Sequence, residues 1–304
     1  MDQYEHSFQV RAKRAVILLL VTIFVVSGCS STKLAYRYAD WGIIWWVEDF
    51  ITLTEPQKQQ LNADIDNLKD WHCSTELPRY RSWLDNLQSD LATGDPGPAE
   101  VSGLQSQLAT FIPPLLNQVA PIATNLLSSL SDEQVRELAD NMAEKQQELE
   151  KEFLSGSSEQ IAKARAERTA ERAERWLGSL NGRQQTSINN WSENRAGQTT
   201  IWLEGRKHWQ EALLEALRER DEPGFDARIT DLINNPEAAR GEAYSEMMDT
   251  SMEAMTSLIQ DLLLASHPSH LDHLARQASK LSGDFKALTC QPGSEVASQA
   301  LTSR

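Results

Sequence analysis

The stretch Leu53-Thr54-Glu55-Pro56-Gln57, with Leu61 four residues further on, spells out the start of a helix. A threonine at that entrance can accept from the backbone N–H three residues later, and a glutamine there can reach back to the threonine's own N–H. Pro56 falls in the first turn, where a missing N–H costs nothing. The same grammar returns as Leu130-Ser131-Asp132-Glu133-Gln134 before Leu138, and as Leu180-Asn181-Gly182-Arg183-Gln184 before Ile188. The spacings of 77 and 50 residues rule out a fixed-period repeat.

Outward from these starts the apolar pattern is helical. Leu61, Ile65, Leu68 and Trp71 form one stripe, and Tyr80, Trp83, Leu84, Leu87 and Leu91 form the next, with Thr75 as a cap between them. That pair reads as a first helical hairpin, closed by the break Gly94-Asp95-Pro96-Gly97-Pro98. Residues 99–129 read as two short apolar helices split at Pro113-Pro114 and bent at Pro121. Residues 131–155 carry a heptad-like stripe, Val135, Leu138, Met142, Leu149 and Phe153. From 158 to 178 the stripe is small: Ala162, Ala166, Ala170 and Ala173, then Leu177. Such a seam lets another helix approach closely, and the preceding helix is the expected partner. Residues 182–220 read as one helix about 58 Å long at 1.5 Å per residue, with Gly197 and Gly205 as bends. Residues 237–265 carry Met247, Met248, Met252 and Met255, which fit core or an adaptable apolar surface. A last helix, about 269–288, brings Leu271, Leu274, Leu281 and Leu288. No segment alternates apolar and polar residues between hairpin turns. The expected fold is all-α, an elongated bundle of long antiparallel hairpins without β-sheet.

The N-terminus has a different character. Arg11, Lys13 and Arg14 precede an apolar run from Ala15, which ends in Val26-Ser27-Gly28-Cys29. The run is shorter than the roughly 20 residues of a membrane span. A basic flank, a short apolar middle and small residues before a cysteine resemble a bacterial lipoprotein signal. That resemblance implies cleavage before Cys29 and lipidation of its thiol, and Ser30 implies the outer membrane, with the chain facing the periplasm. The expected organisation is a cleaved signal at 1–28, an anchor-proximal aromatic helix with the first hairpin at 29–95, a main helical bundle at 96–290 and a polar tail at 291–304. In residues 34–51, Leu34, Tyr38, Trp41 and Trp45 share one helical stripe, while Ile43, Val47 and Phe50 occupy the other side. Apolar residues on two faces argue for a buried helix. The competing reading is an aromatic belt at the bilayer interface.

Charge narrows the partners. There are 44 acidic and 29 basic side chains, a net charge of −15, and such a surface repels phosphate backbones, which argues against nucleic acid. If Cys29 carries lipid, Cys73 and Cys290 remain, 217 residues apart. Two leftover cysteines in an oxidising compartment point to a disulfide, worth about 5 kcal/mol in the chain-entropy picture.

Chemistry is sparse. The sequence has no phosphate-binding glycine loop, no Gly-x-Ser-x-Gly elbow and no Cys-x-x-Cys. His267, His270 and His273 spread over about 120° of a helix face at 3.6 residues per turn and could offer two or three ligands to a divalent metal; a solvated helix start explains them as well. His72 with Glu76 could do acid–base work, or form a hydrogen-bonded corner. No cofactor is expected.

The apolar run ending at Cys29, the aromatic helix ending near Phe50, Leu53-Thr54-x-x-Gln57, and Trp71-His72 followed by Glu76-Leu77-Pro78-x-Tyr80 together resemble a family of proteobacterial lipoproteins of unknown function. The resemblance implies an all-helical periplasmic lipoprotein and brings no catalytic residues. Leu53 to Gln57 also resembles the Leu-Thr-x-x-Gln motif of small periplasmic stress chaperones. The functional expectation is a non-enzymatic envelope lipoprotein that is membrane-attached through its N-terminal lipid and binds a protein partner or client. The alternatives are an enzyme acting on cell-wall or lipid material and a metal-binding lipoprotein.

Overall fold

The computed structural model describes residues 31–93, 98–195 and 197–290. The expected signal at 1–28, Cys29, Ser30, the expected break at 94–97, residue 196 and the expected tail at 291–304 lie outside the described residues. Every regular element among those described is helical, as the caps and stripes require. None of these helices is long and apolar enough to cross a membrane.

The chain divides into two compact units, one up to Gly42 and one from Ile43 onward. In the first, α1 (Ser31–Arg37) precedes the start of α2 (Ala39–Glu48). Leu34, Tyr38 and Trp41 are exposed there, Trp41 to 67%. In the second unit Trp45 and Trp46 are exposed to 59% and 60%, while Ile44, Val47 and Phe50 pack on the core. The aromatic stripe is therefore surface. Two-faced apolarity argued for burial; Ile44, Val47 and Phe50 do pack on the core, while Ile43, expected beside them, is exposed.

The rest of the second unit begins with α3 (Glu55–Trp71), a wide π-turn at His72–Glu76 and α4 (Leu77–Thr93). The backbone stays helical through all three, so the expected hairpin at 71–75 does not form, and Thr75 lies inside the π-turn. The reason lies in the phase of the stripes. At 3.6 residues per turn, Leu61-Ile65-Leu68 and Leu77-Leu84-Leu87 stand about 120° apart on an unbroken α-helix. One extra residue in a wide turn realigns them onto one side.

Next come α5 (Pro98–Ala109), α6 (Ile112–Ser128), α7 (Asp132–Leu154), α8 (Ser158–Leu177), α9 (Gly182–Glu193) and α10 (Gln198–Arg218). They are followed by α11 (Phe225–Asn234), α12 (Pro236–Arg240), α13 (Glu242–Leu264) and α14 (Pro268–Leu288). The α5–α6 break falls at Thr110–Phe111. Pro113 and Pro114 serve in the first turn of α6, where proline suits the backbone. The long helix expected over 182–220 is two helices, because Gly197 takes φ +84°, a left-handed conformation that favours glycine. Gly205 does not bend α10. It is buried, and a Cβ there would stand 2.6 Å from the Tyr244 ring, so it lets α10 and α13 cross closely.

All three quoted starts are capping boxes, and Ser157 with Gln160 makes a fourth. Three of the glutamines also tie helices together. Gln57 Nε2 donates to Ser129 O at 3.0 Å, and Gln134 Nε2 donates to Thr52 O at 2.9 Å and to Gln57 Oε1 at 2.7 Å. Gln184, fully buried, donates to Leu262 O at 3.0 Å and Ser266 Oγ at 3.1 Å.

Three apolar clusters follow. Ile51, Leu61, Ile65, Leu138, Leu217 and Ile229 centre the one around α3, α7, α10 and α11. Ala166, Leu177, Ile188, Leu258 and Leu262 join α8, α9 and α13. Leu84, Leu87 and Ala278 join α4 to α14, the most extensive helix pair among the described residues. The alanine seam of α8 faces α9 and α14; the preceding helix, α7, packs on α10 instead.

Candidate functional site

The second and third clusters do not merge. Between them lies a cavity of about 680 Å³, within the range of roughly 300–1,000 Å³ common for ligand sites. Trp83, Leu84 and Leu87 of α4, Leu281 and Phe285 of α14, Ala173 and Leu177 of α8, and Met255, Leu258 and Leu262 of α13 supply its walls. On one side it is closed by α5, through Val101, Leu104 and Leu108; Trp83 Nε1 donates to Leu104 O at 3.2 Å and pins that helix. Ala173, on the small-residue seam of α8, is the smallest side chain of the wall.

Leu108, Trp176 and Arg172 are exposed members of the wall and mark its mouth. Arg172 is the one charged lining residue among those described. Two buried polar atoms on lining side chains have no hydrogen-bond partner, Gln105 Oε1 and Trp191 Nε1. The face of Trp191 carries the Arg195 guanidinium, 4.6 Å from the ring centroid. Burial and the neighbouring Arg165 both push the Arg195 pKa down from its ordinary value.

At one end of the cavity Tyr80 connects three elements. Its ring lies 4.6 Å from Phe111, 6.0 Å from Phe285 and 5.4 Å from His72. Burial, then the Glu76 charge, hold the Tyr80 phenol above its ordinary pKa, against Arg79. His72 is pushed below its ordinary value by burial, with Glu76 pulling the other way.

The residues singled out in the sequence fall as follows. Cys73 and Cys290 form a disulfide with Cα atoms 5.4 Å apart, and Cys290 N donates to Cys73 O at 3.3 Å. The bond fixes the C-terminal end of α14 to the π-turn. Glu76 is 1% exposed, and both its oxygens accept from Arg79, at 2.7 and 2.8 Å. That is an ion pair within one turn of a continuous helix, so the expected corner is absent, and Glu76 does not line the cavity. The histidines do not converge on a common point. His270 Nδ1 accepts from His267 N at 2.8 Å, which leaves its Nε2 to donate to Ser179 O at 3.0 Å. His273 Nε2 lies 3.3 Å from Arg175 O and 3.1 Å from Gln277 Nε2. These rings serve the helix start and its contact with the end of α8. Of the methionines, Met247 is core, Met255 lines the cavity and Met252 is exposed. Gln105, Arg172 and Trp176 drew no attention in the sequence, because nothing local distinguishes them from any solvated helix position.

A model described as a family of unknown function, DUF6279, matches residues 49–245. The chain belongs to that family. The matched span runs from the end of the aromatic helix to the first residues of α13, so most of α13 and all of α14 lie beyond it. No curated protein and no solved structure matches the chain.

Proposed function

We propose that the protein is a non-enzymatic lipoprotein of the outer membrane, facing the periplasm, whose helical body holds apolar material out of water. The observation that carries this reading is the apolar cavity, which a strongly acidic chain keeps open between two of its own cores. Burying a methylene there contributes about 0.8 kcal/mol, so a chain-like apolar ligand or client segment gains affinity along its whole length. The signal ending at Cys29 supplies the anchor, and diacylation with a further chain gives stable attachment. Exposed Trp41, Trp45 and Trp46, a short way along the sequence, suit an interfacial position beside that anchor. The likeness of Leu53–Gln57 to stress-chaperone motifs needs no kinship, because the capping box accounts for those residue types.

The test uses a headless apolar photoprobe, an alkane carrying a diazirine, on the full-length lipidated protein. Cross-links should map to Leu84, Leu177 and Leu258. Labelling confined to exposed residues would sink the cavity reading. Metabolic palmitate labelling should mark the wild type and spare Cys29→Ser; label retained by the variant would sink the anchor reading.

A further inference from the structure

The cavity wall is apolar except at a few points, and three of them ask for partners of different kinds. Gln105 Oε1 is a buried acceptor without a donor, and Trp191 Nε1 is a buried donor without an acceptor. Such atoms are rare in folded proteins and each carries a cost, so each points to a group that completes it. Arg172 is a cation on an otherwise uncharged wall, in a chain with a large excess of carboxylates. Its planar fork matches the oxygens of an anion.

The complementary ligand has a hydroxyl for Gln105, a carbonyl for Trp191, an anion for Arg172 and an apolar body for the rest. An ionised fatty acid offers the anion and the chain but no donor. A peptide segment would bring a donor and an acceptor at every residue against a wall that answers very few of them. Volume sets the number of chains. A methylene is comparable in size to a water, whose share is about 30 Å³, so a sixteen-carbon chain fills roughly 480 Å³ and two such chains overflow a space of 680 Å³.

We propose that the cavity binds a monoacyl glycerophospholipid. Its single acyl chain lies among Leu84, Leu177 and Leu258, and its phosphate meets Arg172 at the mouth. Its ester carbonyl accepts from Trp191 Nε1, and its free glycerol hydroxyl donates to Gln105 Oε1. Both protein atoms are shut off from solvent, so binding turns the Gln105 and Trp191 side chains toward the ligand. This assignment rests on the cavity reading above.

The test is competition on the full-length lipidated protein held in amphipol, with the headless diazirine alkane as the displaced probe. A monoacyl glycerophospholipid should displace it at lower concentration than palmitate, a diacyl phospholipid or an apolar helical peptide. Arg172→Gln, Gln105→Leu and Trp191→Phe should each weaken that displacement by about tenfold relative to the alkane labelling of the same variant, the scale of one lost charge-assisted or buried hydrogen bond. Ala173→Leu, or Ala173→Phe where it folds, should reduce labelling by the alkane. If the alkane labels the wall but palmitate, the diacyl lipid or the peptide competes as well as the monoacyl lipid, or the three polar variants change nothing, the lipid assignment is overturned and the cavity reading stands. If the alkane does not label the wall, both are overturned.

Discussion

Single residues in this protein serve more than one master, and Gln184 shows it most clearly. Its side-chain oxygen accepts from Asn181 N at 3.0 Å, and its amide nitrogen serves Leu262 O and Ser266 Oγ, all without exposure to water. Gln184→Leu strands several groups at once. It should lower the free energy of unfolding by about 2–4 kcal/mol, since each buried group left unpaired costs roughly 1–3 kcal/mol; urea denaturation measures it. Ser157→Ala removes a similar box at an exposed site and should cost only about 1 kcal/mol. His72 makes stability depend on pH. Its folded pKa lies below the ordinary 6.5 because burial disfavours the imidazolium. The unfolded chain therefore takes up the proton first as pH falls. The contribution is complete above 6.5 and is lost as pH drops through that value toward the folded one. His72→Phe should show a smaller fall in urea midpoint between pH about 7.5 and about 5.5 than wild type, and an equal fall in both would count against this role.

Elements meet here through devices that only partly show in a sequence. The caps are visible because they are local, and so is the Gly197 break, once a glycine stands in a long polar stretch. The π-turn is half visible: the phase slip between Leu61-Ile65-Leu68 and Leu77-Leu84-Leu87 is in the residues, yet a corner at His72–Thr75 explains it equally well until the backbone is seen to continue. Deleting Ser74 should therefore misalign α4 with α14 and lower the thermal midpoint sharply, although Ser74 is not itself core. Gly205 was legible only as a bend. Its role is contact, because α13 brings Tyr244 against it. Gly205→Ala should destabilise by about 1–3 kcal/mol through overpacking, despite alanine's better helix propensity, and calorimetry can read the sign.

For the molecule as a whole, the long covalent link is Cys73–Cys290. It joins the π-turn to the second residue after α14, beside the helix pair that walls the cavity. Cys73→Ser with Cys290→Ser should cost about 2–5 kcal/mol and should loosen α14 before the cluster around α3 and α7, which hydrogen exchange can resolve. By itself, the sequence determined the all-helical class and the capped helix starts, and it pointed to the Cys73–Cys290 pair on the reading that Cys29 carries lipid. Those features follow from local backbone hydrogen bonding and from counting. Tertiary structure alone decided that the alanine seam of α8 faces α9 and α14, that the Trp41–Trp46 aromatics stay on the surface, and that Gln105, Arg172 and Trp191 share one cavity. Such outcomes depend on which faces meet across large sequence separations, and helical periodicity states that a face is apolar without naming what covers it.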